Sequence, residues 1–243
     1  MKLSIGTVQF GLNYGISNKD GKTPPDEVER ILKLADAHGI PLLDTAAAYG
    51  TSEEVLGQSF KNCNLSDSFE IVTKTARFRD SEDPEKLLKD TFENSLKRLG
   101  RDSVYGLLIH DPLDLLSERG NLGWSFLHGL QEEGYIEKPG TSIYTGDQVD
   151  AILEKFEIEL IQLPLNIFDQ RLLKSGHLAK LKKAGVEIHV RSAFFQGLLL
   201  MQPGETHEFF KPVRPQLEKL HAMANDLKTT PLHLCFSFLK SIS

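Results

Sequence analysis

Pro84-Glu85-Lys86-Leu87-Leu88-Lys89-Asp90-Thr91-Phe92-Glu93-Asn94-Ser95-Leu96-Lys97-Arg98-Leu99-Gly100, followed by Tyr105-Gly106-Leu107-Leu108-Ile109-His110, decides the fold class. In the first stretch Leu87, Leu88, Phe92, Leu96 and Leu99 fall on one helical face. Gly100 stands where a glycine closes a helix. The second stretch is too short for a helix. Its nearly continuous apolar run predicts a strand buried on both faces.

The same unit recurs along the chain. Short runs at Leu3–Val8, Pro41–Asp44, Phe69–Lys74, Gly140–Ser142, Glu159–Leu163 and Val186–Arg191 predict further strands. Amphipathic stretches at Pro24–His38, Asn121–Glu133, Gly146–Phe156, Gly176–Ala184 and Gln216–Lys228 predict helices between or after them. Alternating strands and helices predict an α/β fold with a parallel sheet. The strand ends near 44, 74, 110, 142, 162 and 191 are spaced as βα units, and no linker interrupts them. One domain over 1–243 is expected, a (β/α)₈ TIM barrel. The doubly wound alternative lacks its fingerprint, because Gly6-Thr7-Val8-Gln9-Phe10-Gly11 is not GxGxxG. Only seven strands are found. Thr230-Pro231 reads as the cap and first residue of a last helix, with no eighth strand after it. The barrel is therefore expected to be incomplete at its C-terminal end.

Composition removes several function classes. The chain has 28 basic and 34 acidic side chains, a formal charge of −6, against a phosphate-neutralising nucleic-acid module. No apolar run is long enough to span a membrane, and no signal peptide opens the chain. Cys63 and Cys235 form no CxxC pair. A cytoplasmic protein is expected.

Active sites of barrels lie at the C-terminal ends of the strands. The predicted strands end in Asp44, Lys74, His110, Ser142, Gln162 and Arg191, with Tyr49 five residues beyond Asp44. Four of them have an ordinary reading alone: Asp44 as a helix cap, Tyr49 as a loop aromatic, His110 bonded locally through Asp111 and Arg191 in a surface salt bridge; Lys74 is harder to dismiss, because an unpaired buried amine is costly. Together they converge on one mouth. There a lysine ammonium would favour a nearby phenolate. An aspartate would keep the lysine charged, and a histidine would hydrogen-bond a substrate oxygen. The set suits protonation of a carbonyl oxygen while hydride from a cofactor reaches its carbon.

Asp44-Thr45-Ala46-Ala47-Ala48-Tyr49-Gly50, Ser52-Glu53, Leu56-Gly57, Thr73-Lys74-Thr75 and Leu108-Ile109-His110 resemble the aldo-keto reductase superfamily in order and spacing. The resemblance implies an NADP(H)-dependent enzyme reducing a small-molecule carbonyl, aldehyde or ketone, to an alcohol. Tyr49 would be the general acid, Lys74 and Asp44 its tuning pair, and His110 the substrate-orienting partner. Ser142 and Gln162 match residues that hold the nicotinamide carboxamide. Asp44, Arg191, Ser192, Gly6 and Thr7 join them in the cofactor-binding set. No metal, nucleic acid or membrane is expected, and the chain should be a monomer or weak homo-oligomer.

Three departures stand out. The usual Ser-Asn pair is Ser142-Ile143, so one carboxamide hydrogen bond is either lost or supplied by Asn166. Arg191 occupies the place of an aromatic that commonly stacks on the nicotinamide; its guanidinium would stack likewise or hold the pyrophosphate. The grip on the adenosine 2′-phosphate would fall beyond Ser243, so a truncated chain is expected. The alternative function is a non-catalytic or cofactor-deficient reductase-like binding protein. Asn13, Tyr14, Trp124, Phe168, Phe194 and Phe195 are candidate wall residues, with Trp124 better placed to pack a helix on the barrel.

Overall fold

The computed structural model describes residues 2–242 of the protein. Its strands are β1 Ser4–Gly6, β2 Leu42–Asp44, β3 Glu70–Lys74, β4 Val104–Ile109, β5 Ile136–Ser142, β6 Leu160–Pro164 and β7 Glu187–Arg191. They hydrogen-bond in chain order, every adjacent pair parallel. The helices are α1 Val8–Gly11, α2 Pro25–Ala37, α3 Ser52–Cys63, α4 Pro84–Leu99, α5 Pro112–Leu115, α6 Gly120–Glu132, α7 Gly146–Leu153, α8 Arg171–Lys174, α9 His177–Lys183, α10 Arg214–Asp226 and α11 Pro231–Ser241. The seven parallel strands form a nearly closed α/β barrel with helices around it. Among the described residues β1 and β7 do not pair, so one gap remains and no eighth strand fills it.

The continuous apolar runs serve two cores at once. Leu43, Ile71, Leu107, Ile109, Ile161 and Leu163 pack with helix residues such as Leu32, Leu56, Phe92, Leu127 and Ile152. Val72, Leu108 and Leu160 form a separate fully buried cluster inside the barrel, where Leu42 and Tyr105 join them. A third cluster, with Leu198, Leu199, Leu217, Leu220 and Cys235, seats the C-terminal helices.

Three elements differ from expectation. The first strand stops at Gly6, because the Thr7 amide and hydroxyl both donate to the Asp44 carbonyl at 2.9 Å, and Val8–Gly11 then winds into a helical turn. The fifth strand begins earlier, at Ile136; Glu137, Lys138 and Pro139 hid its start by interrupting the apolar run. The helix expected from Gly176 is preceded by α8. Gly176, at φ +83°, takes a backbone turn that separates the two. The final helix is capped as expected, the Thr230 hydroxyl accepting from the His233 amide. Cys63 and Cys235 are free thiols.

Candidate active site

Parallel strands bring their C-terminal ends to one rim, and a cavity of about 610 Å³ opens there. Gly6, Thr7, Asp44, Tyr49, His110, Ser142, Gln162, Arg191 and Ser192 all line it. Lys74 lies beneath them, 1% exposed.

A buried amine demands partners. Lys74 Nζ donates to Asp44 Oδ1 at 2.6 Å and to the Thr45 carbonyl at 2.8 Å. Burial pulls its pKa down and Asp44 opposes the fall. Asp44 Oδ1 also accepts from Gln162 Nε2 at 2.7 Å, so one carboxylate fixes both the lysine and the amide.

Tyr49 stands over this knot. Lys74 Nζ is 5.0 Å from its ring centroid, and His110 meets the ring edge-on at 6.0 Å between centroids. Among the described residues the Tyr49 hydroxyl has no hydrogen-bond partner. Burial, and then the Asp44 charge, hold the phenol above its ordinary pKa, while Arg191 works to lower it. This corrects the expectation that Lys74 would draw the phenol down. The Lys74 charge is matched by Asp44, and the cation that counts at the phenol is Arg191. Burial, reinforced by Lys74, pushes His110 down to about 4, so its ring is neutral at pH 7. Asp111 does not serve His110: it pairs with Arg77 and Arg79 and caps the Leu113 amide.

Residues further along the same motif hold the Tyr49 turn. Ser52 Oγ lies 2.9 Å from the Thr7 carbonyl and 3.1 Å from Thr45 Oγ1. Glu53, 1% exposed, accepts from Thr73 Oγ1 at 2.6 Å and from two Arg98 nitrogens at 2.9 and 2.6 Å. α1 presses on the turn so closely that a Cβ at Gly11 would lie 1.8 Å from the Tyr49 carbonyl oxygen. The sequence displayed Ser52 and Glu53 but not what they grip.

The residues expected to hold a cofactor divide. Ser142 Oγ and Gln162 Oε1 are buried without a hydrogen-bond partner, one hydroxyl and one amide oxygen. A carboxamide is the complementary group, since it offers an acceptor and two donors. Thr7 and Gly6 form wall; the Thr7 hydroxyl is already committed to the Asp44 carbonyl. Ser192 takes a positive φ of +59°, and its carbonyl accepts from Asn166. Asn166 gives one Nδ2 hydrogen to that bond, takes the Phe168 and Asp169 amides on Oδ1, and does not line the cavity. Arg191 lies with its guanidinium carbon 4.3 Å over the ring of Tyr144, a partner that sequence reading missed. Only the register of β5 and β7 around the sheet brings these two together. Tyr14 and Phe194 line the cavity, whereas Asn13, Phe168 and Phe195 do not. Trp124 packs against Phe156 and His128, as expected of a helix residue.

Residues 2–242 match the model of the Aldo/keto reductase family. The chain is 31% identical over 185 residues to Aldo-keto reductase YhdN of Bacillus subtilis, covering 72% of this chain and 53% of that protein. An aldo-keto reductase of Mycobacterium sp. (strain KMS) is 31% identical over 76% of this chain and 65% of its own length. The chain thus spans between half and two thirds of the curated relatives it matches. Among solved structures, a putative aldo-keto reductase from Pseudomonas aeruginosa superposes with a TM-score of 0.63 at 27% identity, over 79% of this chain and 73% of that one. An aldo/keto reductase from Klebsiella pneumoniae, solved with NADP and acetate, shares the fold at a TM-score of 0.69 and 19% identity, over 98% and 76% of the two chains. No helix among the described residues is long and apolar enough to cross a membrane.

Proposed function

Because the chain belongs to the aldo/keto reductase family, we propose that it is an NADP(H)-dependent oxidoreductase interconverting a small-molecule carbonyl and its alcohol, with Tyr49 as general acid. The observation that carries this reading is the buried Asp44–Lys74–Gln162 knot under a phenol whose hydroxyl is left free.

Ser142 Oγ and Gln162 Oε1 would hold the carboxamide of the nicotinamide, which answers their lack of partners. Once bound, the reduced dinucleotide supplies the hydride that no side chain can. Tyr49, a neutral phenol at pH 7, gives its proton to the substrate oxygen as negative charge develops there. His110, uncharged, donates a hydrogen bond to the same oxygen. The phenolate left behind lies near two cations, Lys74 and Arg191. In the alcohol-oxidising direction Tyr49 takes the proton back. The solved relative that carries NADP supports the choice of cofactor.

Titration of the chain with NADPH, followed by quenching of protein fluorescence, tests the reading; Trp124 is the sole tryptophan. Saturable binding in the micromolar range or tighter is expected, together with reduction of at least one aldehyde in a panel. A folded chain that binds no NADPH would leave the non-catalytic binding protein as the better account.

A further inference from the structure

Arg191 gives the mouth a charge that no carboxylate lining it is free to pair; Asp169, outside the cavity, feels that charge but is bound to Arg171 at 2.8 Å. Asp44 is the one carboxylate lining the cavity, and it is bound to Lys74 at 2.6 Å. Tyr49 and His110 are both neutral at pH 7. Among the described residues no carboxylate lies within 4.0 Å of Arg191. Its guanidinium is anchored over Tyr144 and by one hydrogen bond, 3.4 Å to the Ile143 carbonyl. Ile143 directly follows Ser142, whose hydroxyl is one of the two unpartnered atoms fitted to a carboxamide. The fixed cation thus sits beside the seat of the ring, and its charge is felt at Tyr49, His110 and Lys74 alike.

We propose that Arg191 makes this site distinguish the redox states of a bound nicotinamide dinucleotide, holding the reduced form more tightly than the oxidised form. The inference rests on the cofactor reading above. The two forms share their phosphates, riboses, adenine and carboxamide, and they differ in the ring: the oxidised ring is a cation and the reduced ring is neutral. Any contact with a shared part cancels in the ratio of the two affinities. Repulsion between a fixed guanidinium and a cationic ring does not cancel, and a partly desolvated mouth screens it weakly. A charge pair separated by several ångströms there corresponds to at least about tenfold in affinity. Tenfold also raises the midpoint potential of the bound two-electron couple by about 30 mV.

The test is a pair of equilibrium titrations, NADPH and NADP⁺ separately, on the wild-type chain and on Arg191→Gln, Arg191→Met and Arg191→Lys. The wild type should bind NADPH at least about tenfold more tightly than NADP⁺. Arg191→Gln and Arg191→Met should bring the two dissociation constants within about twofold of each other, and Arg191→Lys should keep most of the preference. Having both neutral variants guards against one of them failing to fold. If the neutral variants weaken both forms equally and leave the ratio unchanged, Arg191 serves a shared part such as a phosphate; the inference falls and the cofactor reading stands. A wild-type ratio near one overturns the inference directly. A folded wild-type chain that binds neither form overturns the cofactor reading and this inference with it.

Discussion

This barrel carries two sets of a tyrosine, a lysine, a carboxylate and a histidine. At the mouth they are Tyr49, Lys74, Asp44 and His110. Lower on the strands they are Tyr105, Lys138, Glu187 and His189, the last of which still lines the cavity. The second set is closed on itself. Tyr105 Oη donates to Glu187 Oε2 at 2.7 Å, Lys138 pairs with the same oxygen, and His189 Nε2 meets Glu187 Oε1 at 2.8 Å. Burial alone would raise the Glu187 pKa, but the hydrogen bonds from Lys138, Tyr105 and His189 prevail and bring it to about 2. The mouth is arranged otherwise. Its carboxylate is spent on a lysine and an amide, and its phenol is left without a partner. The same four residue types make a closed knot when the hydroxyl is bound to the acid, and leave a free phenol when it is not.

The largest test of that contrast is to remove the two hydroxyls in turn. Tyr49→Phe should lower kcat/KM for a carbonyl substrate about 10³-fold with NADPH affinity nearly unchanged. Tyr105→Phe should leave kcat/KM within about threefold and lower stability by about 1 kcal/mol, read by urea denaturation. Equal losses of activity from the two changes would erase the distinction.

The lysines should separate by stability. Lys74→Met strands the Asp44 carboxylate in a buried site and should cost about 3 kcal/mol as well as nearly all activity. Lys138 and Glu187 are about a third exposed, 30% and 32%. Water therefore compensates the loss, and Lys138→Met should cost only about 1 kcal/mol.

Acid should reach the two sets in different pH windows. His110 stays neutral in the folded chain until about pH 4, whereas the unfolded chain binds its proton near the ordinary value of 6.5. Stability tied to His110 is therefore intact above 6.5 and drains as pH falls toward 4, by about 2 kcal/mol between pH 6.5 and 4.5. Glu187, shifted from 4.5 to about 2, contributes above 4.5 and weakens only below it. Urea midpoints from pH 7 to 4.5 should flatten in His110→Gln and keep their slope in Glu187→Gln.

The smallest effect concerns the hydroxyl at the end of β5. Ser142→Ala removes a buried oxygen with no partner, so stability should hold or rise slightly. NADPH binding should weaken about tenfold, the value of about one hydrogen bond. Unchanged binding would mean that this oxygen does not face the cofactor.

Most of the mouth was legible in the sequence, because its residues end apolar runs and strand ends share a rim. Asp44, Lys74 and His110 needed only the strand boundaries, and Tyr49 only a short turn. The second tetrad was not legible. Lys138 lies in the first half of a strand that charged residues and a proline disguise, and Glu187 meets Tyr105 across 82 residues through the curvature of the sheet. Tyr144 beneath Arg191 escaped for the same reason. Electrostatic sign was the other limit. Lysine next to tyrosine suggested a lowered phenol pKa, but which charges remain unmatched is settled by distances such as the 2.6 Å between Lys74 and Asp44.

Val72, Leu108 and Leu160, all fully buried, form the apolar cluster inside the barrel, with Leu42 and Tyr105 against it. Nothing on their side chains can donate or accept a proton, so no relay passes through that cluster. Tyr49, the proposed proton donor, lines the open cavity, so water entering there is its means of replenishment. Under the proposed function, whatever covers the rim sets the pace at which the site can recharge.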